Sequence, residues 1–111
     1  MSSTVTDPPD GWTVNDDEMD REVHWGANGD GTNIAKSLGI TNPVPAMVKS
    51  VNAGADAYVF TAGQNVYLWN MVSNDVFQYT NPTSLSAILA EMRKVGSKRK
   101  VEMKLLPEDD V

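Results

Sequence analysis

The segment from Asp56 to Asn70, DAYVFTAGQNVYLWN, constrains the fold more than any other part of the chain. Two runs rich in Val, Tyr, Phe and Trp flank Ala62-Gly63-Gln64-Asn65, a pattern that favours two strands joined through a glycine turn. Antiparallel strands are predicted at 57–61 and 66–70. Tyr58 and Phe60 fall on one face of the first strand, with Val59 and Thr61 on the other. Across the turn, Val66 and Leu68 alternate with Tyr67 and Trp69. Neither face is polar, so the hairpin is expected in the middle of a sheet covered on both sides.

A helix is predicted at 84–95. Pro82 stops the preceding segment, Thr83 or Ser84 can cap the helix, and Gly96 suits its exit. Leu85, Ile88, Leu89 and Met92 recur at helical spacing and make one apolar face, while Arg93 and Lys94 sit in the last turn, where the helix dipole favours cations. Val101, Met103 and Leu105 alternate with Glu102 and Lys104, as in a half-exposed strand. Asp20–Trp25 reads as a short strand ended by the turn-rich stretch 26–31. Residues 34–40 are too few to separate strand from helix, and Pro43 and Pro45 make 41–46 an extended connector. The expected organisation is an acidic disordered tail at 1–19, with Trp12 docked on the body, a folded domain at 20–107 and an acidic tail at 108–111.

The net charge of −6 conceals an asymmetry: acids dominate residues 1–33 and 108–110, and bases dominate 34–105. A basic body can hold its own acidic ends or meet an acidic partner. With no cysteine, disulfides and thiolate chemistry are excluded, and the composition suits a cytoplasmic protein. His24 is the only histidine, which excludes multi-histidine metal sites; in a strand it reads as structural, and no enzyme is expected.

Two short patterns compete for function. Asn28-Gly29-Asp30-Gly31 resembles part of an EF-hand loop, but Gly26 and Ser37 then occupy the positions of the first ligand and the bidentate glutamate, so a surface turn is favoured. Residues 34–54 resemble a helix-turn-helix through Ala35, Gly39, Leu38, Ile40 and Val48, against which Pro43 and Pro45 fall in the second helix. The basic cluster Arg93, Lys94, Lys98, Arg99, Lys100 and Lys104 has no interleaved aromatics, so an acidic protein or a phosphoinositide suits it at least as well as nucleic acid.

The stretch Val51-Asn52-Ala53-Gly54-Ala55-Asp56-Ala57-Tyr58-Val59-Phe60, continued by Ala62-Gly63-Gln64-Asn65-Val66-Tyr67-Leu68-Trp69-Asn70, resembles the gelsolin repeat. The following helix and strand keep the family's order, so the resemblance spans residues 50–105. It implies an α+β fold with a mixed five-stranded sheet between one long and one short helix. It also implies actin binding by the long helix, with monomers sequestered or filaments capped. Ser86, Leu89, Ala90, Met92 and Arg93 are the contact candidates on that helix. Asp56 matches the family's calcium-binding aspartate and Ala55 its carbonyl donor. The partner glutamate has no counterpart: Gln78 and Thr83 are the nearest residues, and Asp75 would need a loop rearrangement. Calcium is therefore expected to bind weakly or not at all. Two alternatives are an interaction module of the same fold without actin, and a helix-turn-helix protein bound to nucleic acid.

Overall fold

The 56–70 hairpin forms the middle of the sheet. In the computed structural model, which describes residues 8–15, 17–51, 54–94 and 98–107, its strands are β3 (Gly54–Ala62) and β4 (Asn65–Asn70), antiparallel from Ala57↔Asn70 to Ala62↔Asn65. The turn between them is two residues long, and Gly63 at its first position has φ 61°, a left-handed conformation that favours glycine. Around this pair lie β1 (Trp12–Val14) and β2 (Val44–Val51) on one side, and β5 (Asp75–Asn81) and β6 (Glu102–Leu106) on the other. The order is β1-β2-β3-β4-β5-β6, with every neighbouring pair antiparallel.

Three eight-residue helices complete an α+β fold among the described residues: α1 (Glu18–Trp25), α2 (Asp30–Ser37) and α3 (Leu85–Met92). On one face, α1 and α2 enclose Tyr58, Phe60, Tyr67, Trp69 and Val76 together with Ala35 and Ile40. On the opposite face, Ile88 and Leu89 of α3 pack with Met47, Val59, Val66 and Tyr79, and Leu85 and Met92 lean on the same cluster. The sheet is covered on both sides, as the apolar character of both hairpin faces requires. Ser84 caps α3 by accepting a hydrogen bond from the Ala87 N–H at 3.3 Å. The predicted end of this helix at 95–96 lies outside the described residues; the last helical residue described is Met92, with Arg93 as its C-cap.

Several expectations need correction. Among the described residues the sheet has six antiparallel strands rather than a mixed five, and each helix spans eight residues. Residues 12–14, expected in the tail, pair with 47–49 as β1, and Trp12 leans on the α3-side core. The ordered fold therefore reaches N-terminal to residue 20. Residues 20–25 are helical: the Asp17 carboxylate accepts from the Met19 and Asp20 N–H groups, and the acids Glu18 and Asp20 in the first turn favour the helix dipole. Residues 44–46, expected in a connector, already belong to β2. Pro45 is tolerated there because β1 reaches only as far as Met47 and the register shifts between Pro45 and Met47. Because 44–51 is a strand, the second helix of a helix-turn-helix is absent.

Glycine spacing explains how α2 turns back onto α1. A Cβ on Gly29 would lie 2.4 Å from the His24 carbonyl carbon and oxygen, and one on Gly31 would lie 3.0 Å from the Trp25 ring. Gly29 is the N-cap of α2, so Asn28-Gly29-Asp30-Gly31 is a turn that opens directly into a helix.

Candidate protein-binding interface

Lys104 stands apart, half-buried on β6 opposite Gln78, on the sheet face away from α3. The other five basic residues, Arg93, Lys94, Lys98, Arg99 and Lys100, are exposed at or just beyond the C-terminal end of α3. Glu91 organises them. Its carboxylate meets the Lys94 ammonium at 2.7 Å and accepts from the Lys100 backbone N–H at 3.0 Å, while Arg99 Nε donates to the Lys94 carbonyl at 2.6 Å. The Lys94 contact, followed by the Lys100 N–H, holds the Glu91 carboxyl below the usual carboxylate range. Beside this strap lies an open cleft of about 390 Å³ lined by Pro8, Pro9, Asp10, Met92, Arg93, Lys94 and Arg99. Its lining joins the apolar Pro8, Pro9 and Met92 to three cations and one acid, Asp10.

The five contact candidates separate according to burial. Leu89 is only 4% exposed and belongs to the core, so it is corrected from contact to packing residue. Ser86, Ala90 and Arg93 are exposed, and half-buried Met92 both packs against the core and lines the cleft. The apolar stripe of α3 is thus consumed by the sheet, and the accessible chemistry of this helix lies at its basic end.

The calcium candidates do not converge with other acids. Asp56 is half-buried in β3, where its carbonyl accepts from the Met71 N–H at 2.8 Å, and Ala55 pairs with Ser50. Strand alternation places Asp56 on the face of Tyr58, whereas Asp75, opposite Asn70 and beside Val76, lies on the α3 face. Asp75 therefore cannot stand in for the missing glutamate, and among the described residues no three His, Cys, Asp or Glu side chains form a metal-holding group.

A second polar assembly lies outside the sequence expectations. Asp20 on α1 accepts from Tyr58 Oη at 2.9 and 3.0 Å and from Asn15 Nδ2 at 2.8 Å. His24, one turn later, has Nδ1 2.7 Å from Asp30 and Nε2 3.8 Å from Asp20. Burial, reinforced by the Asp20 hydrogen bond, pushes the Tyr58 hydroxyl well above its usual range. Trp25 then fills the space over the sheet, with centroids 5.0 Å from Phe60, 5.5 Å from Tyr58 and 5.7 Å from Trp69. Tyr58 is fully buried and Asn15 nearly so. The arrangement fastens α1 to β3, while the His24 imidazole stays partly exposed beside Asp30.

Among the described residues no helix is long and apolar enough to cross a membrane. Comparison with protein-family models, with curated proteins and with solved structures finds no match to this chain.

Proposed function

We propose that the chain is a non-enzymatic binding module that engages an acidic protein surface through the basic end of α3. Actin is the partner implied by the gelsolin-like stretch 51–70, which carries the family side of the reading. The observation that supports the binding surface is the cleft that Arg93, Lys94 and Arg99 line together with half-buried Met92, three cations against the single acid Asp10. A cationic surface with an apolar side chain beside it suits an acidic protein, because the charges steer encounter and an apolar contact slows release. Ser86 and Ala90 flank this surface on the preceding turns of α3.

A single such surface suits monomer sequestration or end capping in the cytoplasm, and severing is not expected. Calcium modulation is expected to be weak, with affinity in about the millimolar range or none, since among the described residues no three His, Cys, Asp or Glu side chains form a metal-holding group. Pyrene-actin assembly with and without calcium tests the reading. The protein should slow assembly equally in both conditions. If actin assembly is unaffected while the protein binds phosphoinositide vesicles, the same cations serve a lipid headgroup and the actin reading fails.

A further inference from the structure

β6 lies at one edge of the sheet and, at five residues, is longer than β1 at the other edge. Its outward hydrogen-bonding groups follow from the ladders. The Met71 N–H bonds to the Asp56 carbonyl, and the unbroken registers of β3–β4 and β4–β5, with that of β5–β6 over 76–79, carry the alternation outward. Gln78/Lys104 and Val76/Leu106 become the bonded pairs between β5 and β6. Met103 and Leu105 therefore turn their N–H and C=O groups away from the sheet. Their side chains, opposite Tyr79 and Phe77 on the α3 face, are 44% and 51% exposed. Edge strands with open backbone groups and apolar side chains favour pairing with another strand.

The sequence Val101-Glu102-Met103-Lys104-Leu105 is self-complementary when laid antiparallel on itself about Met103. Glu102 then faces Lys104 of the partner subunit, twice, on one face of the sheet. Val101 faces Leu105 of the partner subunit, and Met103 faces Met103 of the partner subunit, on the other. The outward groups of Met103 and Leu105 are the ones this register uses. A register centred on Lys104 would oppose like charges, and one centred on Leu105 would set Met103 against Pro107 of the partner subunit, which has no N–H to give.

We propose that the chain associates with a second copy of itself through two-fold antiparallel β6–β6 pairing centred on Met103. The two sheets become one continuous sheet with the α3 helices on the same side. This inference is independent of the basic cleft, since it uses the strand edge and the Glu102–Lys104 complementarity alone.

Sedimentation equilibrium of the full chain tests it. The wild type should show a concentration-dependent dimer. Glu102→Lys and Lys104→Glu should each weaken it about tenfold, because each places like charges opposite one another at two positions. Mixing the two variants in equal amounts should restore dimers of wild-type strength, because opposite charges then face each other across the pairing. Circular dichroism confirms that each variant is folded. If Lys104→Glu does not fold, Lys104→Gln should still weaken the dimer by a smaller factor. A wild type that stays monomeric at its highest soluble concentration overturns the proposal. So do folded variants that dimerise as the wild type does, or a mixture that gives no recovery.

Discussion

On one side of the sheet, Trp25 meets Tyr58, Phe60 and Trp69 at tilted or edge-on angles, and Asp20 collects hydrogen bonds from Tyr58 and Asn15. On the other, α3 lays Leu85, Ile88 and Leu89 on Met47, Val59 and Val66, and Tyr79 adds bulk. The first face depends on direction: rings meet at set angles and a half-buried carboxylate needs its donors. The second depends on volume. Directional contacts specify one docking of α1 and α2, whereas aliphatic packing tolerates substitutions that keep size and shape. The basic strap beyond α3, the proposed binding surface, borders the tolerant side.

The sharpest break in this comparison is Trp25→Ala. It removes the ring that touches three aromatics and should cost about 3–5 kcal/mol in denaturant unfolding. Ile88→Leu on the other face keeps volume and should cost less than about 1.5 kcal/mol by the same measurement. A similar loss for both would erase the distinction between direction and volume. Next in size, Tyr58→Phe strips the Asp20 carboxylate of a buried donor and should cost about 1.5–3 kcal/mol. Tyr79→Phe, whose hydroxyl is shifted by burial alone, should fall within about 0.5 kcal/mol of wild type.

Alkaline titration sharpens the comparison. Burial raises Tyr79 from 10.0 to about 12, and Tyr58 is raised by burial and by Asp20. The unfolded chain ionises these hydroxyls first, so the stability they contribute is present below pH 10 and is lost as pH rises toward and through the folded values. Asp20→Asn should lower the ultraviolet-detected titration of Tyr58 and leave that of Tyr79 in place. The smallest expected effect is at Glu91. Its lowered folded value means that the anchoring of the strap is present above the ordinary carboxylate range and is lost as pH falls through that value. The protection of the Lys100 amide against hydrogen exchange, relative to the intrinsic rate at each pH, should fall over that interval.

The elements that were legible in the sequence carry strong periods. In 56–70 the apolar residues are dense on both faces, in 85–92 they recur at helical spacing, and in 101–105 charge alternates cleanly with apolar residues. The sequence of α1 is ambiguous because Arg21, Val23 and Trp25 also fit the two-residue alternation of a strand. The stronger signal was Asp17 followed by acids, a helix start. β2 was hidden by Pro43 and Pro45, since a proline is tolerated in a strand only where no neighbour needs its missing N–H, and that depends on how far β1 extends. Tyr58 and Asp20 are 38 residues apart, and no local pattern joins them. The basic residues of the candidate site were readable as a cluster, but not that Leu89 is withdrawn into the core or that Glu91 fixes the strap.

The most direct test of the binding account is an equilibrium titration of monomeric actin with wild-type protein, with an Arg93→Glu/Arg99→Glu double variant and with Lys36→Glu on α2. Like charge set against an acidic surface weakens a close interface strongly, so the double variant should bind at least about tenfold more weakly while unfolding as the wild type does. Lys36→Glu, exposed on the opposite side of the sheet, should bind as the wild type does. Absence of wild-type binding, or equal binding by all three proteins, would contradict the account.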